Sequence, residues 1–277
     1  MFAKAGTGLI SMGAVAALGM MGAAQLATPT TSVRASDDAA KLAAYPWPHD
    51  GALSGIDYGA VRRGFHVYRN VCASCHHVQF FRFRHLTGKT HTATQVKAIA
   101  ASYDAEDIDD AGEPIIRPAK PHEGMPAPYK NKTAAAVANN GAAPPDLTLM
   151  TRARFHGADY VFSLLTGFCE PPAGKSLNPG QYYNPYFPGG ALSMAPPLSD
   201  GQVDYEDGTN NTQSQLAKDV TTFMFWIANP THDEHKQFGM RALPLIAAWG
   251  IALGWYKRYI WSGFRSTTMK RVPKMPY

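Results

Sequence analysis

Cysteine is scarce, with three residues in 277: Cys72, Cys75 and Cys169. Two of them stand three apart, so Cys169 has no intrachain partner and a disulfide framework is excluded. Charged residues make up only 17%. Acidic residues are missing altogether after His235, where the chain carries Lys236, Arg241, Lys257, Arg258, Arg265, Lys270, Arg271 and Lys274. Setting those eight aside leaves 18 basic residues of 26 against 21 acidic ones, so the formal net charge of +5 belongs to the tail and the body is mildly acidic. A nucleic-acid partner needs a basic face on the folded domain, and this distribution argues against one. A hydrophobic content of 45% excludes a disordered chain. The length suffices for one or two domains with a sizeable core.

Against that background, Cys72-Ala73-Ser74-Cys75-His76 has the C-x-x-C-H spacing for covalent attachment of a c-type haem. Each thiol adds across one vinyl group of the porphyrin, and the adjacent imidazole becomes an axial iron ligand. On a helix the two cysteines, three apart, share a face. A redox dithiol or half a zinc site is the alternative for a bare C-x-x-C. Zinc would want two more ligands at finger-like spacing, and a dithiol leaves His76 unexplained.

Upstream of the motif, Met1–Ala35 has one lysine ahead of an apolar, Gly- and Ala-rich stretch from Gly8 to Ala27. It reads first as a cleaved targeting segment and second as a retained membrane helix. Ala44–Gly55 reads as a loop. Asp57 is placed to cap a helix in which Tyr58, Val61, Phe65, Tyr68 and Cys72 form one apolar stripe, with Arg62, Arg63 and Arg69 on a solvated face. Thr94 is placed to cap a helix through Tyr103. Asp104, Glu106, Asp107, Asp109, Asp110 and Glu113 read as a solvated acidic loop. A short helix is expected over Ala134–Asn140, ended by Gly141. Asp159 is expected to cap a helix running to Phe168. Glu113–Pro145 and Pro171–Pro197 hold seven prolines each. Rigid loops of this length suit the wrapping of a haem edge. Thr212 and Gln215 form a capping-box pattern ahead of Leu216, Val220, Phe223 and Ile227.

Gly239–Tyr256 is apolar apart from Arg241, which can snorkel. Its 18 residues just span hydrocarbon at about 1.5 Å each, and Pro244 falls in its first turns. Trp249, Trp255, Tyr256, Tyr259 and Trp261 supply interfacial aromatics, and the basic residues follow. By the positive-inside rule the C-terminus lies on the matrix or cytoplasmic side. The fold class is therefore mainly α, with a haem domain over 44–235, a transmembrane helix over 239–256 and a basic tail over 257–277.

The sixth ligand decides the chemistry. Met/His ligation raises the potential and closes the iron to substrate, which means electron transfer. An open site would mean a membrane-anchored haem enzyme. Met125 and Met194, both flanked by proline-containing loops, are candidates that spacing does not separate. Met150 and Met224 read as core. His66, His77, His85, His91 and His156 are alternative ligands, each more in keeping with surface or core. His232 and His235 could bind metal, though an interfacial polar turn suits them better.

Taken in order, several stretches between about Tyr45 and Arg271 carry a family resemblance. They include Tyr45-Pro46-Trp47, Arg62-Arg63-Gly64-Phe65, Cys72–His76, Pro144-Pro145-Asp146-Leu147, Arg152-Ala153-Arg154, Asp159–Gly167, Tyr183–Gly189 and Met194-Ala195-Pro196-Pro197. The chain resembles the cytochrome c1 family, the haem subunits of quinol–cytochrome c reductase, the cytochrome bc1 complex (respiratory complex III). The resemblance implies a cytochrome c-like domain with long Pro-rich loop insertions and one C-terminal anchor. It implies one covalently attached haem c, with Met194 as sixth ligand and Arg154 and Tyr160 near the propionates. It also implies a carrier rather than an enzyme in its own right, passing single electrons from the Rieske iron–sulfur protein to soluble cytochrome c. Its implied neighbours are cytochrome b and other complex III subunits in a dimeric complex. The implied location is the mitochondrial inner membrane with the haem domain in the intermembrane space, or a bacterial inner membrane with that domain in the periplasm. An anchored cytochrome serving another dehydrogenase is the remaining alternative. Residues 87–120 match the family poorly, and Cys169 lacks the partner that forms a disulfide in some bacterial relatives. Asp204, Glu206, Asp207 and the acidic run at 104–113 are expected to steer a basic cytochrome c.

Overall fold

The computed structural model describes residues 39–266, so the proposed targeting segment Met1–Ala35 and the end of the basic tail lie outside the described residues. The chain is mainly helical. The order is α1 (Tyr58–Asn70), α2 (Ala93–Ala101), β1 (Asp104–Ile108), β2 (Pro114–Pro118), α3 (Lys132–Ala138), α4 (Met150–Ala153), α5 (Gly157–Thr166), β3 (Tyr182–Tyr183), β4 (Ala191–Leu192), α6 (Gln213–Ala228) and α7 (His232–Ser266). Short 3-10 turns cover Pro48–Asp50, Cys72–Ser74 and Phe83–Leu86.

Helix α1 starts where its cap dictates: Asp57 Oδ1 accepts from Gly59 N at 2.9 Å and Ala60 N at 3.1 Å. Its stripe buries Val61, Phe65 and Tyr68 against α6, which buries Leu216, Val220, Phe223 and Trp226. The Phe223 ring sits 5.6 Å from those of both Phe65 and Tyr68 and 5.8 Å from Phe81. Each such side chain contributes about 2–3 kcal/mol on burial. The two helices approach closely at Gly64, where a Cβ would overlap the Asp219 carbonyl. Helix α5 packs on α6 from another side, and α4 touches both.

Several sequence expectations need correction. Arg63 is not on a solvated face. Its Nε donates to Asp219 Oδ2 at 2.9 Å and its Nη1 to Asp207 Oδ2 at 2.9 Å, and Asp219 is fully buried. A buried carboxylate needs a charged partner, and α1 supplies it. Arg62 pairs with Glu206 and Arg69 Nε donates to the Tyr103 hydroxyl. Helix α2 is capped by Thr92, not Thr94, in a reciprocal box with Gln95. Thr212 caps α6, but the Gln215 side chain turns to Asp219 at 3.0 Å instead of closing the box. The acidic run forms a hairpin, β1 against β2, pinned by Arg117 between Asp107 and Glu123. Helix α5 begins after His156, which adopts the left-handed conformation at φ 63°. Asp159 is therefore inside the helix, and its Oδ1 accepts from Trp47 Nε1 at 2.6 Å and Tyr45 N at 3.2 Å. That contact seats Tyr45 and Trp47 against Phe162.

Helix α7 runs unbroken from His232 to Ser266 and buries no residue. Its start ahead of Gly239 places Pro244 in the interior rather than the first turns, where it removes one backbone hydrogen bond. Among the described residues it is the helix long and apolar enough to cross a membrane. Its first turn is stitched to the loop ahead of α1. Lys236 Nζ donates to the carbonyls of His49, Gly51 and Ser54, and Asp233 Oδ1 accepts from Ile56 N at 3.1 Å. His232 Nε2 donates to the His49 carbonyl at 3.2 Å.

Candidate haem site

Helix α1 ends at Asn70, and the C-x-x-C-H stretch continues as a 3-10 turn rather than as α-helix. At three residues per turn, positions three apart eclipse, so Cys72 and Cys75 share a face more strictly than an α-helix would allow. The turn closes on one carbonyl: Cys75 N and His76 N both donate to Cys72 O, at 3.2 and 2.8 Å. Tyr68, from the buried stripe of α1, donates its hydroxyl to the His76 carbonyl at 2.9 Å. The sequence pattern marked Tyr68 as core and did not signal this second role.

Cys72, Cys75 and His76 open onto a cavity of about 900 Å³. Arg154, Tyr160 and Met194 line the same cavity, so all six residues singled out in the sequence meet there. The rest of the wall is largely apolar and includes Pro144, Leu147, Val161, Leu165, Val220 and Pro196. This is the upper end of the size range for cofactor sites, with few polar groups. Met125 is buried elsewhere, its carbonyl accepting from His77 Nε2 at 3.0 Å. Met150 and Met224, expected in the core, also reach the cavity wall. None of His66, His77, His85, His91 and His156 is among the lining residues.

The electrostatics suit an iron porphyrin. His76 Nδ1 lies 2.8 Å from the Pro145 carbonyl. A carbonyl only accepts, so Nδ1 carries the proton and Nε2 keeps its lone pair for a metal. Burial lowers the His76 pKa, which keeps the imidazole neutral. Burial pushes the Cys72 thiol up to about 12, with Cys75 adding to it. A redox dithiol needs the opposite shift. Among the described residues there is no group of three or more His, Cys, Asp or Glu that could hold a metal ion, and His232 and His235 lie at the start of α7. Burial raises the Tyr160 phenol, and the neighbouring Arg154 acts against that shift.

The model for the cytochrome C1 family matches residues 47–264. The chain belongs to the cytochrome c1 family. It is 46% identical over 235 residues to cytochrome c1, heme protein, mitochondrial, of Saccharomyces cerevisiae, covering 84% of this chain and 76% of that one. It is 47% identical over 232 residues to the cytochrome b-c1 complex catalytic subunit, mitochondrial, of Candida albicans, covering 83% and 81%. Over 223 residues it is 46% identical to cytochrome c1 2, heme protein, mitochondrial, of Arabidopsis thaliana, covering 80% and 73%.

The acids expected to steer a partner divide into two groups. Glu206 and Asp207 are taken up by Arg62 and Arg63, and Asp204 accepts from Asn211. On the hairpin, Asp107 is held by Arg117, while Asp104, Glu106, Asp109, Asp110 and Glu113 remain exposed. Of the expected set, Asp204 and these five hairpin acids are exposed and make no ion pair among the described residues.

Proposed function

We propose that this chain is the haem-bearing electron carrier of a cytochrome bc1 complex, anchored by α7 in the mitochondrial inner membrane with the haem domain on the intermembrane-space side. It takes single electrons from the Rieske iron–sulfur protein, gives them to soluble cytochrome c, and neighbours cytochrome b and other subunits in a dimeric complex. The observation that carries this reading is the meeting of Cys72, Cys75, His76 and Met194 on one apolar cavity, with the His76 tautomer fixed for ligation. A haem bound there supplies a one-electron couple at iron. Cys72 and Cys75 would hold it by two thioethers, His76 Nε2 and Met194 Sδ would be its two protein ligands to iron, and Arg154 and Tyr160 would meet its propionates. The apolar wall would keep water from the iron, and with both protein ligands bound no position would remain for a substrate, so the residues would serve transfer rather than bond chemistry.

The experiment is a spectrum of the purified membrane protein after acid–acetone extraction. Haem that stays with the wild-type chain but is lost from the Cys72→Ala/Cys75→Ala double variant supports covalent attachment. A low-spin reduced spectrum unchanged by carbon monoxide supports two protein ligands. Met194→Leu should open the iron to carbon monoxide and lower the potential, while Met125→Leu, Met150→Leu and Met224→Leu should not. Carbon monoxide binding to the wild type would overturn the carrier role.

A further inference from the structure

The ring of His76 is held by a main-chain carbonyl, which is aimed only as well as the chain that carries it. Pro145 has no N–H of its own, so the chain at this point is held through the residues that flank it. Leu147 N donates to the His77 carbonyl at 2.9 Å. Phe80 N reaches Thr148 Oγ1 at 3.4 Å. Between them stands Asp146, whose carboxylate bridges the two segments: Oδ2 accepts from Gln79 N at 2.7 Å, and Oδ1 accepts from Thr148 N at 2.9 Å. One oxygen thus bends its own segment into a turn and the other docks that turn on the segment that carries His76. The bond from His76 Nδ1 to Pro145 O is the next rung of the same short ladder.

We propose that Asp146 is a positioning residue for the His76 imidazole. Its carboxylate sets the register between residues 76–80 and 144–148 and thereby keeps the Pro145 carbonyl in line with Nδ1. The proposal rests on the reading of His76 as the iron ligand. A fixed acceptor at Nδ1 holds the ring plane and makes Nε2 the more basic donor to iron. Without Asp146 two backbone N–H groups lose their acceptor, the Pro145 peptide can shift, and the Nδ1 proton becomes accessible to water.

The test uses the full-length chain with ¹⁵N-labelled histidine, in the reduced state, as wild type, Asp146→Ala and Asp146→Asn. Exchange of the His76 Nδ1 proton with solvent should quicken roughly tenfold or more in Asp146→Ala, as the loss of a hydrogen bond allows. Asparagine offers one acceptor oxygen in place of two, so Asp146→Asn should fall between. The His232 Nε2 proton, bound to the His49 carbonyl, should exchange at an unchanged rate. Unchanged His76 exchange in both variants, or an equal change at His232, would overturn the proposal. The reduction potential gives a second reading. Both substitutions remove the same charge, so a larger rise in Asp146→Ala than in Asp146→Asn supports positioning, and equal rises would overturn it. If Asp146→Ala does not fold, exchange in Asp146→Asn alone decides. A wild-type chain without haem would sink the functional reading, yet the His76 proton would still report on Asp146.

Discussion

Helices α6 and α7 are consecutive and three residues apart, and they solve the burial problem in opposite ways. Helix α6 turns Leu216, Val220, Phe223 and Trp226 into the protein and gives its one buried charge, Asp219, a dedicated partner in Arg63. Helix α7 leaves Trp249, Ile251 and Trp255 about 70% exposed and has no buried residue. The difference lies in what each meets. An amphipathic helix needs a protein surface shaped for one face, whereas an apolar helix without a buried face needs a surrounding medium that accepts all of them.

The largest effect should come from the α6 side. Phe223→Ala, which removes a ring touching Phe65, Tyr68, Phe81 and Trp226, should cost about 4 kcal/mol in denaturant unfolding of the haem domain. Asp219→Ala should cost about 3 kcal/mol in the same measurement, because it leaves the largely buried Arg63 guanidinium with only Asp207.

Next comes a pH effect at the base of α7. His49 is buried, stacked on Phe225 with centroids 3.6 Å apart, and burial lowers its pKa from 6.5 to about 4. The unfolded chain takes up a proton below pH 6.5 that the folded chain refuses. Stability should therefore fall as pH drops from 6.5 towards 4, by up to about 3 kcal/mol from this residue. His91, also lowered to about 4, adds in the same direction. His49→Phe keeps the stacking and should flatten part of that acid limb in melting curves taken across the range. The smallest effect belongs to α7 itself: Trp249→Ala should move the unfolding of the haem domain by less than about 0.5 kcal/mol. A loss comparable to that of Phe223→Ala would mean that α7 packs on the domain and would erase the contrast.

The parts legible in the sequence are those written in local pattern. The Asp57 cap, the α1 and α6 stripes and the apolar stretch of α7 each depend on residues three or four apart, and so does Cys72–His76. What was not legible depends on partners distant in the chain. Arg63 looks like any surface arginine until Asp219, 156 positions away, is found beside it. Asp159 resembles a helix cap until Trp47 claims it. The hairpin was hidden because its first strand is acidic and its second is bounded by prolines, both poor strand signals. Met194 and Met125 were inseparable by spacing, since which of them faces the cavity depends on the course of the loop around Ala191–Leu192 and the Met-Ala-Pro-Pro turn.

The grip of Lys236, Asp233 and His232 on residues 49–56 bears on more than stability. Electron tunnelling is acutely sensitive to separation, so a carrier that swayed freely over the bilayer would blur every transfer it makes. Here the spanning helix and the globular part meet in a braced joint, as a lamp is fixed to a bracket. How the start of that helix is joined to residues 49–56 is then a property of the polypeptide itself.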